Sequence, residues 1–288
     1  MNLDGQEESE NVEDRRGSGG GRKAGVAVGG GVGLLVLIVA MFLKVDPAQL
    51  TSLISGGGQG PTTSQQQRPI DPAEEELRHF TAVILGDTEK VWTEEFQKFG
   101  KVYPKPKLVL FSGQVESACG MAESATGPFY CGGDQRVYID LSFYKEMQQQ
   151  LHSSGEFARA YVVAHEVGHH VQRLLGFADA VDDARRTHSN ENQMSVRLEL
   201  QADYLAGVWA AKAEKKFNFL GNGDLESAIN CAQNIGDDTL QKNATGTVRP
   251  EKFTHGSSAQ RVRWFRKGFD SGDVAGAKAL FDARYEQL

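Results

Sequence analysis

Residues 24–43, AGVAVGGGVGLLVLIVAMFL, run for twenty positions without a charge. At about 1.5 Å per helical residue such a run crosses a hydrocarbon core of roughly 30 Å, so it separates residues 1–23 from residues 44–288. Arg15, Arg16, Arg22 and Lys23 precede it and only Lys44 lies close on its other side. Basic residues concentrated on one flank predict a retained single-pass anchor, with residues 1–23 as a cytoplasmic tail and the remainder outside. The expected location is therefore the inner membrane, with the folded part periplasmic or otherwise extracytoplasmic. A cleaved signal peptide fits less well, because the polar lead is long and no small-x-small site closes the run. Gly25, Gly29 and Gly33 stand four residues apart, a spacing that lets two apolar helices approach, although glycine is abundant throughout this stretch.

Beyond the run, residues 44–70 carry Gly56, Gly57, Gly58, Gly60, Pro61 and three successive glutamines, the composition of a flexible linker. Asp71 and Pro72 then signal a helix entry, placing one folded domain at 71–288. Helices are expected over AEEELRHFTAVIL and over 88–99. KLVLF at 107–111 and RVYIDL at 136–141 have the β-rich apolar composition of strands, and from about Glu156 onward the chain reads as helix. The expected fold class is α+β, a small sheet and then a mainly helical body. A net charge of −7 provides no basic face for nucleic acid. Cys119 and Cys131 bracket a glycine-rich loop and could pair in an oxidising compartment. Cys231 lies on an apolar helix face, and remains an alternative partner for either.

The chemistry concentrates in YVVAHEVGHHVQRLL at 161–175. His165 and His169 are i and i+4, so a helix projects both imidazoles from one face, where each can offer a nitrogen to one zinc ion. Glu166 sits beside that pair without joining it, the position of a general base for a zinc-activated water. Phe157, Tyr161, Ala164, Val167, Val171 and Leu174 form the apolar stripe that would bury this helix. Catalytic zinc sites normally take three protein ligands. A metzincin would place a glycine at 172 and its third ligand at 175, where this chain has Gln172 and Leu175. A gluzincin takes a glutamate from a later helix, and ENQMSVRLELQADYLAGVWAAK at 191–212 offers Glu199. Asp203, again at i+4, is spaced to accept a hydrogen bond from the far ring nitrogen of His165. The rival reading makes Glu199 and Asp203 ordinary solvated helix acids.

HEVGHH, ELQAD, the later HGSSAQRVRWF and CGMAESATGPFYCGGDQRVYIDLSFY at 119–144 together resemble the bacterial family of neutral zinc metallopeptidases, from about residue 70 to the C-terminus. The resemblance implies a gluzincin-like fold with His165, His169 and Glu199 as zinc ligands and Glu166 as catalytic base, acting on a peptide or protein substrate. It also implies an N-terminal membrane helix, common in that family, and it leaves the substrate and oligomeric state open. Tyr204 stands where many relatives carry a cysteine. His255 opens HGSSAQR, with Ser257 and Gln260 in capping-box register. It is read as a catalytic donor to the oxyanion of a tetrahedral intermediate, against the simpler role of fixing the helix entry. His170 lies about 100° round the helix from His169 and is read as packing. The expected activity is zinc-dependent peptide hydrolysis; the alternative is a tethered scaffold with a structural or vestigial zinc site.

Overall fold

The structure, a computed structural model, describes residues 1–17, 71–187 and 190–288. The anchor and linker expected over 24–43 and 44–70 lie outside the described residues. Helix α1 (Pro72–Lys98) begins where the Asp71 side chain accepts from the Ala73 N–H at 3.1 Å, with Pro72 pre-set for the first turn. Its 27 residues run unbroken through the two helices expected from sequence. Strands β2 (Lys107–Phe111) and β6 (Arg136–Asp140) pair in parallel at the centre of a four-stranded sheet. Burial on both faces explains their continuous apolar runs. Strand β5 (Phe129–Cys131) is antiparallel to β6 and forms one edge. Strands β3 (Gln114–Ser117) and β4 (Gly120–Glu123) make a separate hairpin. A Cys119–Cys131 disulfide ties that hairpin to β5, leaving Cys231 free and buried.

The helical body comes next in the chain. Helix α2 (Ser142–Gln149) leads to α3 (Glu156–Leu175), which Gly176 ends at φ 83°. Helix α4 (Phe177–Thr187) and the long α5 (Glu191–Phe217) come after it, then α6 (Asp224–Asn234), α7 (Asp237–Thr245) and α8 (Ser258–Ser271). Helix α5 lies between α3 and α8, and glycine sets both distances. A Cβ on Gly168 would stand 3.1 Å from the Ala202 carbonyl oxygen, and one on Gly207 would meet the Phe265 carbonyl at 2.1 Å. Both substitutions would force the helices apart and with them the side chains that meet across α3 and α5.

The N-terminal residues correct the expected topology. Strand β1 (Val12–Asp14), read from sequence as part of a cytoplasmic tail, pairs in parallel with β2, placing Val12 opposite Leu108 and Asp14 opposite Leu110. Upstream of it, the Ser9 N–H donates to the Ala82 carbonyl at 3.0 Å, and Ser9 Oγ and Asn11 Nδ2 donate to the buried Glu89 carboxylate at 2.6 and 2.8 Å. Gly86 sits under this segment. A Cβ there would meet the Glu7 carbonyl at 2.8 Å, which explains a glycine in the middle of α1. A single membrane crossing at 24–43 would put residues 1–23 and 71–288 on opposite sides. One sheet contains strands from both, so the single-pass anchored architecture is not supported. Among the described residues no helix is long and apolar enough to cross a membrane.

Because residues 1–16 complete a sheet, removing them is expected to destabilise the domain. At about 0.5–1.5 kcal/mol net per hydrogen bond, the lost pairings correspond to a fall in Tm of roughly 5–10 °C. A thermal melt of the truncated protein against the full chain reads this directly, and a detached tail would leave Tm unchanged.

Candidate metal centre and active-site cleft

Helix α3 carries His165 and His169 one turn apart, and α5 crosses it at the Gly168–Ala202 contact, bringing Glu199 and Asp203 to the same point. The nitrogen His165 Nε2 lies 3.2 Å from Glu199 Oε2, and His169 Nε2 lies 3.6 Å from Glu199 Oε1. The three candidate ligand atoms all fall within 4.8 Å of one another. Two donors at 2.0–2.1 Å from one ion and at a tetrahedral angle lie about 3.4 Å apart, so the spacing and the N, N, O donor set fit zinc.

The second nitrogen of each histidine is held. His165 Nδ1 is 2.9 Å from Asp203 Oδ1, and His169 Nδ1 is 2.9 Å from Gln172 Oε1. With Nδ1–H donated in each case, Nε2 is left to bind a cation. Gln172 is itself fixed by donating its amide to the Leu198 carbonyl on α5. Asp203 is 0% exposed, which removes the reading of a solvated helix acid. Its oxygens also accept from Arg261 Nε at 2.8 Å, from Arg261 Nη2 at 2.9 Å and from the Tyr161 hydroxyl. Burial alone would push the Asp203 carboxyl up, but the Arg261 guanidinium and His165 overcome it and hold the group at about 2. Burial likewise opposes charge on His165, yet its hydrogen bonds to Asp203 and Glu199 raise the imidazole to about 10, so a cation would bind Nε2 in exchange for a proton. Glu199 is held well below the usual carboxylate range, its burial outweighed by His169, His165 and His255.

Glu166, only 8% exposed, faces the same cavity as the three candidate ligands. Burial pushes its carboxyl upward, against the pull of His169 and His165. A carboxylate with raised proton affinity is a stronger base.

His255 also reaches the cavity, from the entry to α8. Asp237 holds it there: Oδ2 accepts the N–H groups of Thr254, His255 and Gly256 at 2.7, 2.7 and 3.0 Å, and Oδ1 is 3.2 Å from His255 Nδ1. The expected capping box is present, since the Ser257 side chain accepts from the Gln260 N–H and the Gln260 side chain from the Ser257 N–H. His170 stands apart from the metal set. Its Nε2 donates to the Pro104 carbonyl at 2.6 Å, so Nδ1 accepts from the Tyr130 hydroxyl at 3.0 Å, and burial keeps its proton affinity low. His170 thus packs α3 against β5, whose residues form one wall of the cavity.

The structure therefore brings His165, Glu166, His169, Glu199 and His255 into one cleft of about 460 Å³, with Asp203 buried behind His165. Arg261, Tyr161, Gln172 and Asp237 are not assigned from sequence. Arg261 does leave a signal: with Trp264, Phe265 and Gly268 it falls on the buried face of α8, where a charge needs a partner.

A sequence profile of the family described as "Putative neutral zinc metallopeptidase" matches residues 1–280. The match includes the N-terminal strand that sequence reading alone sets apart from the folded domain. The chain is 48% identical over 284 residues to the uncharacterized protein YpfJ of Escherichia coli (strain K12), covering 96% of this chain and 97% of that one. It is 44% identical over 181 residues to the uncharacterized protein Rv2575 of Mycobacterium tuberculosis (strain ATCC 25618 / H37Rv), covering 59% of this chain and 61% of that one. No solved structure gives a significant match. With the profile spanning nearly the whole chain and a zinc-type donor set at its centre, this chain belongs to the neutral zinc metallopeptidase family.

Proposed function

We propose that this protein is a zinc-dependent peptidase that hydrolyses peptide bonds with Glu166 as general base. The observation that carries the reading is the convergence of His165, His169 and Glu199 within 4.8 Å of one another, in a cavity that Glu166 also faces. Zinc held by these three residues would supply Lewis acidity and lower the pKa of its water. Glu166 takes a proton from the attacking water and returns it to the leaving amine. Asp203, clamped by Arg261, fixes the tautomer of His165, while Gln172 does the same for His169. His255, oriented by Asp237 through Nδ1, donates from Nε2 in its imidazolium form to the oxygen that becomes negative as the carbonyl is attacked. A peptide substrate is supported by the edge strand β5 along the cleft, since an extended chain can add to a sheet edge through backbone hydrogen bonds.

The test is digestion of a reduced and alkylated protein by the zinc-supplemented enzyme, with fragments read by mass spectrometry. Fragments should appear, vanish with a zinc chelator and return on adding zinc. A zinc-loaded protein that produces no fragments from any of several unfolded substrates would contradict the reading.

A further inference from the structure

The cavity runs along one face of α3 from Val162 to Arg173. Twelve residues, separated by rises of about 1.5 Å each, span roughly 16 Å, enough for about five residues of extended chain at about 3.3 Å each. The candidate ligands and Glu166 lie between these ends, so chain can extend in both directions from the reacting bond. Among the described residues lining the cavity, the charged side chains are already engaged. His165, His169 and Glu199 form the metal set, Arg261 clamps Asp203, His255 is held by Asp237, and Arg173 pairs with Asp182 at 3.3 Å. Only Glu166 remains, and it is the proposed base. Among the described lining residues no charged side chain other than Glu166 is thus left without a partner to capture a chain terminus.

That end is apolar. Val162 lies one turn before His165 and Glu166 on the same helix face. The lining also takes in Phe143 from α2, Leu151 beyond it, Ile235 at the end of α6 and Leu240 on α7. Asn234 Nδ2 donates to Ser153 Oγ at 3.4 Å, joining the end of α6 to the loop after α2 and closing the wall. Five apolar side chains from separate elements thus line the cavity that the base faces, where burial of an apolar group is favourable and a charge would be desolvated without a partner.

We propose that the pocket formed by Phe143, Leu151, Val162, Ile235 and Leu240 receives a large apolar side chain adjacent to the cleaved bond, making this an endopeptidase that selects apolar stretches of extended chain. The proposal rests on the peptidase reading for its chemistry, but the pocket can be tested without turnover. Fluorescent peptides identical except for one Leu, Phe, Ser or Asp, blocked at both termini, are titrated against zinc-loaded Glu166→Gln by anisotropy. The Leu and Phe peptides should bind roughly 10–100-fold more tightly than the Ser and Asp peptides. Ile235→Asp, a change at a partly exposed position, should erase most of that difference while leaving zinc content unchanged; Ile235→Ala, the variant safest for folding, should weaken it. Equal binding of all four peptides, or an unaltered preference in both Ile235 variants, overturns the pocket. Tighter binding of the same peptides with one terminus left unblocked, titrated in parallel, overturns the endopeptidase assignment. If apolar preference appears in binding but the zinc-loaded wild type cleaves none of the peptides, the pocket stands and the peptidase reading falls.

Discussion

Replacing Glu166 by Gln is expected to lower the rate of peptide hydrolysis by about 10²–10⁴-fold while leaving zinc content and Tm near wild type. The substitution keeps the size and packing of a residue that is buried beside the two histidines, but removes the capacity to accept a proton. Because Glu166 is absent from the ligand set, the metal should remain. Parallel measurement of steady-state rates and bound zinc separates this outcome from a loss of fold. A variant as active as wild type would remove Glu166 from the reaction. A purely structural zinc site would have no hydrolysis to lose and no use for a base.

Arg261→Met is expected to have the largest effect on stability. Arg261 and Asp203 are both buried and joined by two hydrogen bonds at 2.8 and 2.9 Å, and Asp203 also accepts from His165 and Tyr161. Removing one partner of a buried ion pair leaves an uncompensated charge and costs about 3–5 kcal/mol. For a domain of this size that is a fall in Tm of about 6–20 °C. Asp203 is held at about 2, below its ordinary 3.8, so its contribution is fully present above the unfolded value and is lost as pH falls through about 2. The variant should therefore lose stability most at neutral pH, and the gap from wild type should narrow in acid. His165 also loses part of what orients it, so zinc affinity should fall. Coincident melts for Arg261→Met and wild type at pH 7 would show that the clamp contributes little.

The two halves of the candidate metal set are legible in the sequence because each is local, although their meeting across 34 residues is not. Spacings of four residues place His165 with His169 and Glu199 with Asp203 on single helix faces, whatever the rest of the chain does. The strands at 107–111 and 136–140 are legible from composition, since both are buried on both faces. The supporting residues are not. Arg261 meets Asp203 from 58 positions away, and Asp237 meets His255 from 18, contacts that helical periodicity cannot encode. Helix α1 is expected as two helices with a gap at residues 86–87, where the missing side chain of Gly86 instead makes room for the Glu7 backbone. Strand β1 escapes notice for a related reason. Its three residues, Val-Glu-Asp, have little strand propensity of their own and are held by the edge of β2. The uncharged run at 24–43 then favours reading everything before it as a separate tail.

That His165, His169 and Glu199 form one zinc site is open to direct trial by metal analysis of the purified protein and its ligand variants. Wild type and Glu166→Gln should each retain about one zinc per chain after dialysis against weak chelator, as a three-ligand site requires. Glu199→Ala and His165→Ala should retain almost none while keeping a cooperative melt. Full retention of zinc in either alanine variant, or no zinc uptake by the wild type, would contradict the ligand assignment and the chemistry built on it.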